Sequence, residues 1–274
     1  MPPTLRLLFI GDVVGPAAAR AVQTVVPTLR QELQLHAVIV NGENSAESGF
    51  GMSAPEAATL LTVVDFVTLG DHAFDQQDVG TLLNQEARII RPANVGTEQP
   101  GRGWGLFTAA DVSIGVVTLQ GQVFMRPVPE SPFAAADRAI PALAEAGARI
   151  IVVEMHCEAT SEKQAMGWHC AGRVAAVLGT HTHTPTADER LLPGGTAYLT
   201  DVGMTGGDDS IIGFAREGFL RFMANGERSG IQPRPATTSL RLDAALIEVD
   251  IASGRALSIE RISRHLRAAA GEPA

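Results

Sequence analysis

Cysteine is scarce in this chain, and its scarcity excludes whole classes of protein. The 274 residues include two cysteines, Cys157 and Cys170. Two thiols cannot build a multi-disulfide scaffold or a cysteine-rich zinc module. The sequence therefore does not encode a small domain that depends on cross-links for its stability.

Long hydrophobic runs are absent as well. No stretch approaches the roughly 18 apolar residues that a membrane-spanning helix requires. The first apolar segment, residues 5–10, is followed at once by Gly11 and Asp12, and the N-terminus lacks the basic region of a signal peptide. These absences predict a cytoplasmic protein that does not bind a membrane.

Positive charge is also in short supply. Lysine and arginine total 21 against 30 aspartates and glutamates, so the formal net charge is −9, and Lys163 is the only lysine. Affinity for long nucleic acids comes from lysine and arginine contacts to phosphates, so no such partner is expected. A small phosphorylated substrate stays open if a cation lies in the site, and so does a homo-oligomer.

Hydrophobic residues, in contrast, make up 45% of the chain, which is enough for a sizeable core. Short apolar runs typical of buried strands alternate with helical segments, and this alternation predicts an α/β fold with a substantially parallel sheet. No linker interrupts the pattern, so one domain over residues 1–274 is expected. The predicted strands are residues 5–10, 37–40, 66–69, 87–90, 149–154, 175–178 and 196–200.

Helices are predicted between these strands, and two segments depart from the alternation. The predicted helices cover residues 16–33, a segment opened by a Ser53–Glu56 capping box, a segment from about Asp75, and residues 133–147. Residues 104–119 are expected to form a hairpin, and residues 237–266 several antiparallel strands. A mixed sheet, or two sheets packed face to face, would accommodate both.

Residues able to bind a metal follow one predicted strand after another. An aspartate after a strand usually caps a helix, and an isolated His-x-His pair is more often merely exposed or partly buried. However, the carboxyl ends of strands in open α/β sheets share one crevice, so the combination favours a metal centre. The candidate ligands are Asp12, Glu43, Asn44, Asp71, His156, His181 and His183.

The number of candidate ligands indicates two ions, because one catalytic zinc typically uses three protein ligands. Oxygen and imidazole donors without thiolate suit Fe or Mn, with Zn or Co as alternatives. Cys157, beside His156, could be a nucleophile, but a histidine that binds a metal cannot also act as its base. We therefore interpret Cys157 as structural.

The ordered motifs GD, NGEN, GDH, EMH and GTHTH resemble the calcineurin-like metallophosphoesterases, and most closely their YmdB-like bacterial branch. The resemblance covers residues from about 5 to 206, including the closing DVGMTG at 201–206. It implies a four-layer α-β-β-α sandwich of two mixed sheets and a di-metal centre. It also implies phosphodiesterase activity toward 2′,3′- or 3′,5′-cyclic nucleotides or similar small phosphodiesters, with water activated by the two ions.

The same resemblance implies a role for each candidate residue. Asp12, Asn44 and His183 would hold one ion, Asp71, His156 and His181 the other, with Glu43 between them and His72 as the acid beside the leaving group. Two positions depart from the wider superfamily. Asp12 is not followed by the usual Asp-x-His histidine, and Asp71 stands where an asparagine is usual, which adds one negative charge.

Other functions remain open at this point. The site could serve a phosphomonoesterase or a nuclease of RNA ends, or a regulatory protein could bind a cyclic nucleotide without hydrolysing it. His72 favours an enzyme, because a pure binding module has no need for an acid one residue from a ligand. The Gly-rich segment GFGMSA could form a flexible wall over the site.

Overall fold

Two mixed β-sheets form the centre of the protein, and their strands follow the apolar runs of the sequence. The computed structural model describes residues 3–126, 129–225 and 233–266. The strands within these residues are β1 (Thr4–Ile10), β2 (Asp12–Val13), β3 (Ala37–Asn41), β4 (Phe66–Thr68), β5 (Ile89–Ile90), β6 (Trp104–Ala109), β7 (Val112–Gln120), β8 (Ile150–His156), β9 (Ala176–Thr180), β10 (Arg190–Leu192), β11 (Thr196–Leu199), β12 (Met204–Gly207), β13 (Leu240–Asp250) and β14 (Arg255–Leu266).

Helices connect many of these strands. They are α1 (Gly15–Glu32), α2 (Ala54–Leu60), α3 (Val79–Gln85), α4 (Pro132–Glu145), α5 (Thr160–Cys170) and α6 (Arg216–Asn225). Among the described residues, no helix has the length and apolar character needed to cross a membrane.

Both sheets combine parallel and antiparallel pairs. The first has the order β2-β12-β13-β1-β3-β4-β5, with β14 also paired to β13, and its β1, β3, β4 and β5 run parallel. The second has the order β10-β11-β9-β8-β7-β6, with β7, β8, β9 and β11 parallel. The parallel strands end on one side of each sheet, and the loops that follow them lie together.

Three buried hydrophobic clusters show how the layers stack. One cluster lies between α1 to α3 and the outer face of the first sheet, and another between α4, α5 and the outer face of the second. The third lies between the two sheets, where β1, β3 and β13 face β7, β8 and β9. The predicted four-layer α-β-β-α sandwich is therefore confirmed.

The sequence located most elements, with a few corrections. All seven predicted strands and the hairpin of β6 and β7 are confirmed. Residues 237–266 form two long strands rather than several. The helix predicted from about Asp75 begins at Val79, because the preceding segment forms turns. Ser53 does precede α2, but its hydroxyl bonds to the Glu56 carboxylate rather than capping the backbone.

Candidate metal centre

Four of the predicted residues meet where the two sheets bring their strand ends together. Glu43 and Asp71 follow β3 and β4 of the first sheet, and His156 and His181 lie at or just after the ends of β8 and β9. One potential ligand atom from each lies within 4.8 Å of the others. His156 Nε2 is 2.9 Å from Glu43 Oε1 and 2.9 Å from Asp71 Oδ1, and His181 Nδ1 is 3.2 Å from Asp71 Oδ1.

This close approach depends on glycine in the loop after β4. A Cβ atom on Gly70 would lie 2.3 Å from the His156 ring and 2.4 Å from a Glu43 oxygen. Both distances are far inside van der Waals contact, so a side chain at this position would push the cluster apart. The GDH motif therefore contributes through its glycine as well as through its acid.

His156 lies in a strongly acidic environment. Burial alone would lower its pKa, but the carboxylates of Glu43 and Asp71 outweigh burial and raise the pKa well above its usual value. The same contacts have the opposite effect on the pKa of Glu43. Burial raises that pKa, but the nearby His156 lowers it to below its normal value. The cluster thus favours a positive charge at its centre.

Asn44 and His183 form a second part of the site, with two hydrogen-bond acceptors facing each other. His183 Nδ1 donates to the carbonyl of Ile212 at 2.8 Å, and burial lowers the pKa of His183 and keeps the ring neutral. Its Nε2 therefore carries a lone pair, yet it lies 3.2 Å from Asn44 Oδ1. The Asn44 amide is oriented by its own donation to Gly49 O, so neither atom supplies a proton. A cation bound by both atoms would remove the repulsion between their lone pairs.

Asp12 supplies an unpartnered oxygen deep in the site. Its side chain is completely buried, and its Oδ2 accepts the backbone N–H of His181 at 3.0 Å. Its Oδ1 has no hydrogen-bond partner among the described residues, and burial raises the pKa of Asp12 well above normal. A buried carboxylate oxygen without a donor is costly unless a proton or a cation neutralises it. Together with Asn44 and His183, it shows that the residues present suit a metal centre.

His72 lies at the rim of the cluster. Its backbone N–H donates to Glu43 Oε2 at 3.1 Å, and its ring Nδ1 is 2.7 Å from Asp75 Oδ2. The ring packs against Phe50, with centroids 4.9 Å apart. Burial would lower the pKa of His72, but Glu43 and Asp71 raise it above its normal value, which favours the protonated ring.

Neither the Asp71–His72 pair nor the His181–His183 pair lies on a β-strand. Asp71 and His72 do not lie on extended backbone, because residues 71–74 form turns, and His72 Nε2 stays 3.8 Å from Asp71 Oδ2. His181 and His183 do not lie on a strand either. β9 ends at Thr180, and both histidines have left-handed backbone, with φ of 97° and 61°.

The Gly-rich segment predicted as a wall lies beside the rim. Gly49 and Gly51 both have φ of 80°, and the ring of Phe50 between them packs against His72 and stacks on Phe214 at 5.4 Å. A Cβ on Gly49 would lie 2.4 Å from the Phe214 ring. The segment thus places an aromatic surface next to His72.

Several site residues were not identified from the sequence. Glu154, on β8, has a ligand atom within 4.8 Å of those of Asp12 and His156, and its position two residues before His156 on a strand could have indicated it. Lys163 is buried and donates to Asp201 at 2.7 Å. Because Lys163 is the only lysine of the chain, its rarity could have marked it for attention in the sequence.

The chain is similar to known proteins over nearly its whole length. The family model described as YmdB-like protein matches residues 8–262. The chain is 40% identical to a Bacillus subtilis (strain 168) protein named 2′,3′-cyclic-nucleotide 2′-phosphodiesterase. That alignment spans 262 residues and covers 94% of this chain and 96% of the relative.

Solved structures with the same fold match nearly the whole chain. A structure described as a novel phosphatase from Mycoplasma pneumoniae superposes with a TM-score of 0.88 at 30% identity, covering 97% of this chain and 95% of the other. A structure from Thermus thermophilus, described as a hypothetical protein, gives a TM-score of 0.87 at 39% identity over 96% and 100% of the two chains.

Proposed function

The chain belongs to the YmdB-like family, and from that premise we propose that it hydrolyses 2′,3′- or 3′,5′-cyclic nucleotides, or similar small phosphodiesters, with two transition-metal ions. Its similarity to phosphodiesterases and phosphatases makes it a metal-dependent phosphoester hydrolase. The observation that carries the proposal is the pair of facing acceptors on Asn44 and His183, next to an acid-rich cluster that favours positive charge.

The proposed ligands divide between two ions. Glu43 would lie between them, because its Oε1 is 2.9 Å from His156 Nε2 and its charge also acts on Asp12 of the other group. One ion would be held by Asp71, His156 and His181, and the other by Asp12, Asn44 and His183.

The donor set suits Fe or Mn, with Zn or Co as alternatives, because it combines carboxylate and amide oxygens with imidazole. Asp71 brings the carboxylates to three, against ions that total four positive charges if both are divalent. That extra negative charge would either make a bound water less acidic or favour a trivalent iron at one position.

When bound, the ions would supply Lewis-acid stabilisation of the phosphoryl oxygens and lower the pKa of a bound water. The chain itself supplies the proton for the leaving group. His72 lies at the rim with a raised pKa, and Asp75 fixes its Nδ1, which leaves Nε2 to donate to the departing alkoxide. Phe50 lies against the same ring and limits how a substrate can approach it.

The substrate class rests on the Bacillus subtilis relative and on charge. The protein carries a net charge of −9, so we propose a small anionic substrate attracted by the ions rather than a long nucleic acid. The alternatives are a phosphomonoesterase or RNA-end nuclease, and a regulatory protein that binds a cyclic nucleotide without hydrolysis.

Metal analysis and substrate assays test the proposal. We expect close to two transition-metal ions per chain in the purified protein. Treatment with EDTA should abolish hydrolysis of bis(p-nitrophenyl) phosphate and of 2′,3′-cyclic AMP, and Mn²⁺ or Fe²⁺ should restore it. Parallel assays on p-nitrophenyl phosphate and 3′,5′-cyclic AMP separate monoesterase from diesterase activity. One ion or fewer per chain, with full activity in EDTA, would contradict the di-metal proposal.

A further inference from the structure

A buried chain of hydrogen bonds lies behind His156, on the side of the ring that faces away from the cluster. His156 Nδ1 is 2.9 Å from Thr180 Oγ1, and Thr180 Oγ1 donates to Glu154 Oε1 at 2.8 Å. All three residues are completely buried. The contact is built into the second sheet, because His156 and Thr180 are paired in the register of the parallel strands β8 and β9.

Which atom donates in each of these hydrogen bonds depends on which ring nitrogen of His156 faces the cluster. If Nε2 binds an ion, as proposed above, the proton of the neutral ring must lie on Nδ1. Thr180 Oγ1 is the nearest acceptor, because Asp12 Oδ1 is 3.8 Å away. The amide nitrogen of Asn41, at 3.4 Å, is a donor. Thr180 thus accepts from His156, and its own proton goes to Glu154.

A second hydrogen-bonded path connects Glu154 to the loop after β3. Glu154 Oε1 also accepts from Asn41 Nδ2 at 2.7 Å. Asn41 Oδ1 in turn accepts the backbone N–H of Glu43 at 2.9 Å, which fixes the orientation of the Asn41 amide. The Glu154 carboxylate is therefore connected to both sheets. Thr180 connects it to His156 of the second sheet, and Asn41 connects it to Glu43, which follows β3 of the first sheet.

We propose that Glu154 is a positioning residue of the metal centre, acting on His156 through the hydroxyl of Thr180 and on Glu43 through the amide of Asn41. This inference rests on the proposed function, since it requires His156 to bind an ion. A carboxylate behind a metal-binding histidine fixes its tautomer and ring orientation and makes the ligand nitrogen more basic. Here the threonine hydroxyl relays that effect.

Thr180→Val tests the relay, because valine keeps the shape of threonine but removes the hydroxyl. We expect the affinity for Zn²⁺ and Mn²⁺ alone, measured by competition with a chelator, to fall about 10- to 100-fold. Thr180→Ser should restore most of it. Glu154→Gln, which retains an acceptor for Thr180 but loses the charge, should weaken binding in the same direction by a smaller factor.

The proton on His156 gives a spectroscopic readout that does not depend on activity. In the Zn²⁺-loaded protein, a slowly exchanging imidazole N–H resonance of His156 should be present in wild type and Thr180→Ser and absent in Thr180→Val. Thr196→Val is the matched control, since Thr196 is equally buried but its hydroxyl bonds to backbone atoms of residues 172 and 174. This control should keep both the affinity and the resonance.

The outcomes separate this inference from the function on which it rests. If wild type binds two ions and hydrolyses diesters while Thr180→Val and Glu154→Gln bind Zn²⁺ as tightly as Thr196→Val, the positioning role is overturned and the proposed function stands. If wild type binds no metal, the proposed function fails, and the inference fails with it.

Discussion

At the scale of single residues, the neighbours Asp71 and His72 lie in a turn, and their side chains have different partners. Asp71 points inward, with Oδ1 2.9 Å from His156 Nε2. His72 points toward the rim, where Asp75 and Phe50 contact its ring. Had this segment continued the strand, Asp75 would have pointed to the opposite face and could not have reached the ring. The turns therefore give a candidate ligand and a candidate acid different partners, while His72 Nε2 remains 3.8 Å from Asp71 Oδ2.

Replacing His72 with alanine should remove the acid and leave the metal centre intact. On a diester with an alkoxide leaving group, kcat should fall roughly 10²- to 10⁴-fold, because the departing oxygen is no longer protonated. With p-nitrophenolate, which leaves without a proton, the loss should be much smaller. The measurement is kcat on both substrates with metal content determined in parallel.

The control for this variant is His169→Ala, which removes a partly exposed histidine paired with Asp137 away from the site. It should behave as wild type on both substrates. Loss of metal in His72→Ala, or equal damage on both leaving groups, would rule out the role as an acid.

Sequence order was enough to select the ligand candidates but not the residues behind them. The motifs gave Asp12, Glu43, Asn44, Asp71 and the three histidines, because each lies at or after the end of a recognisable strand. Thr180 could not be selected, since a threonine at a strand end is unremarkable. Its role depends on the pairing of β8 with β9, which a linear pattern does not display.

At the scale of elements, the turn after β9 carries two histidines on left-handed backbone. Asp201 anchors it by accepting the hydroxyl of Thr182 at 2.8 Å, and Lys163 on α5 holds Asp201 in place. Because of the left-handed conformation, His181 faces Asp71 while His183 faces Asn44. A regular strand would have pointed both rings to one face.

Alanine at either histidine should therefore remove one ion and not both. His181→Ala is expected to lose the ion beside Asp71, and His183→Ala the ion beside Asn44, each with loss of activity. Metal stoichiometry of the purified variants is the measurement, with the exposed His265→Ala as the control. If both variants keep two ions per chain, the two histidines are not ligands.

The element that sequence reasoning missed most clearly is α5. Its buried face includes Met166 and Cys170, but Lys163 occupies a core position on the same face. A charged residue there hides the apolar periodicity by which a helix is recognised. The buried position becomes understandable only when Asp201 is seen as its partner, and that contact joins distant parts of the chain.

At the scale of the whole molecule, the core holds ionisable groups that are kept neutral. Burial raises the pKa of the Cys157 thiol to about 12, that of Cys170 to about 11, and that of Tyr198 to about 12. These groups bind their protons more tightly in the folded state than in the unfolded state. The folded state therefore loses stability as pH rises above their ordinary values near 9.0 and 10.0.

Alkaline titration should show this effect directly. We expect neither thiol to react with Ellman's reagent at pH 8 until the protein unfolds, and the free energy of unfolding in urea to fall between pH 9 and 12. Tyr198→Phe should reduce the part of that decrease that lies above pH 10. Rapid reaction of a thiol in the native protein would contradict the structural interpretation of Cys157.

The pairing of β1 with β13 has a consequence for how the protein is made on the ribosome. Thr4 pairs with Asp250 and Ile10 with Ala244, and β13 also connects β12 to the first sheet. During synthesis, β1 has only β3 beside it while the chain lengthens, and one edge stays open until residues 240–250 have emerged. Contacts between such distant residues form slowly, and an open strand edge invites pairing with other chains. The nascent protein should therefore depend on chaperones until β13 closes the sheet.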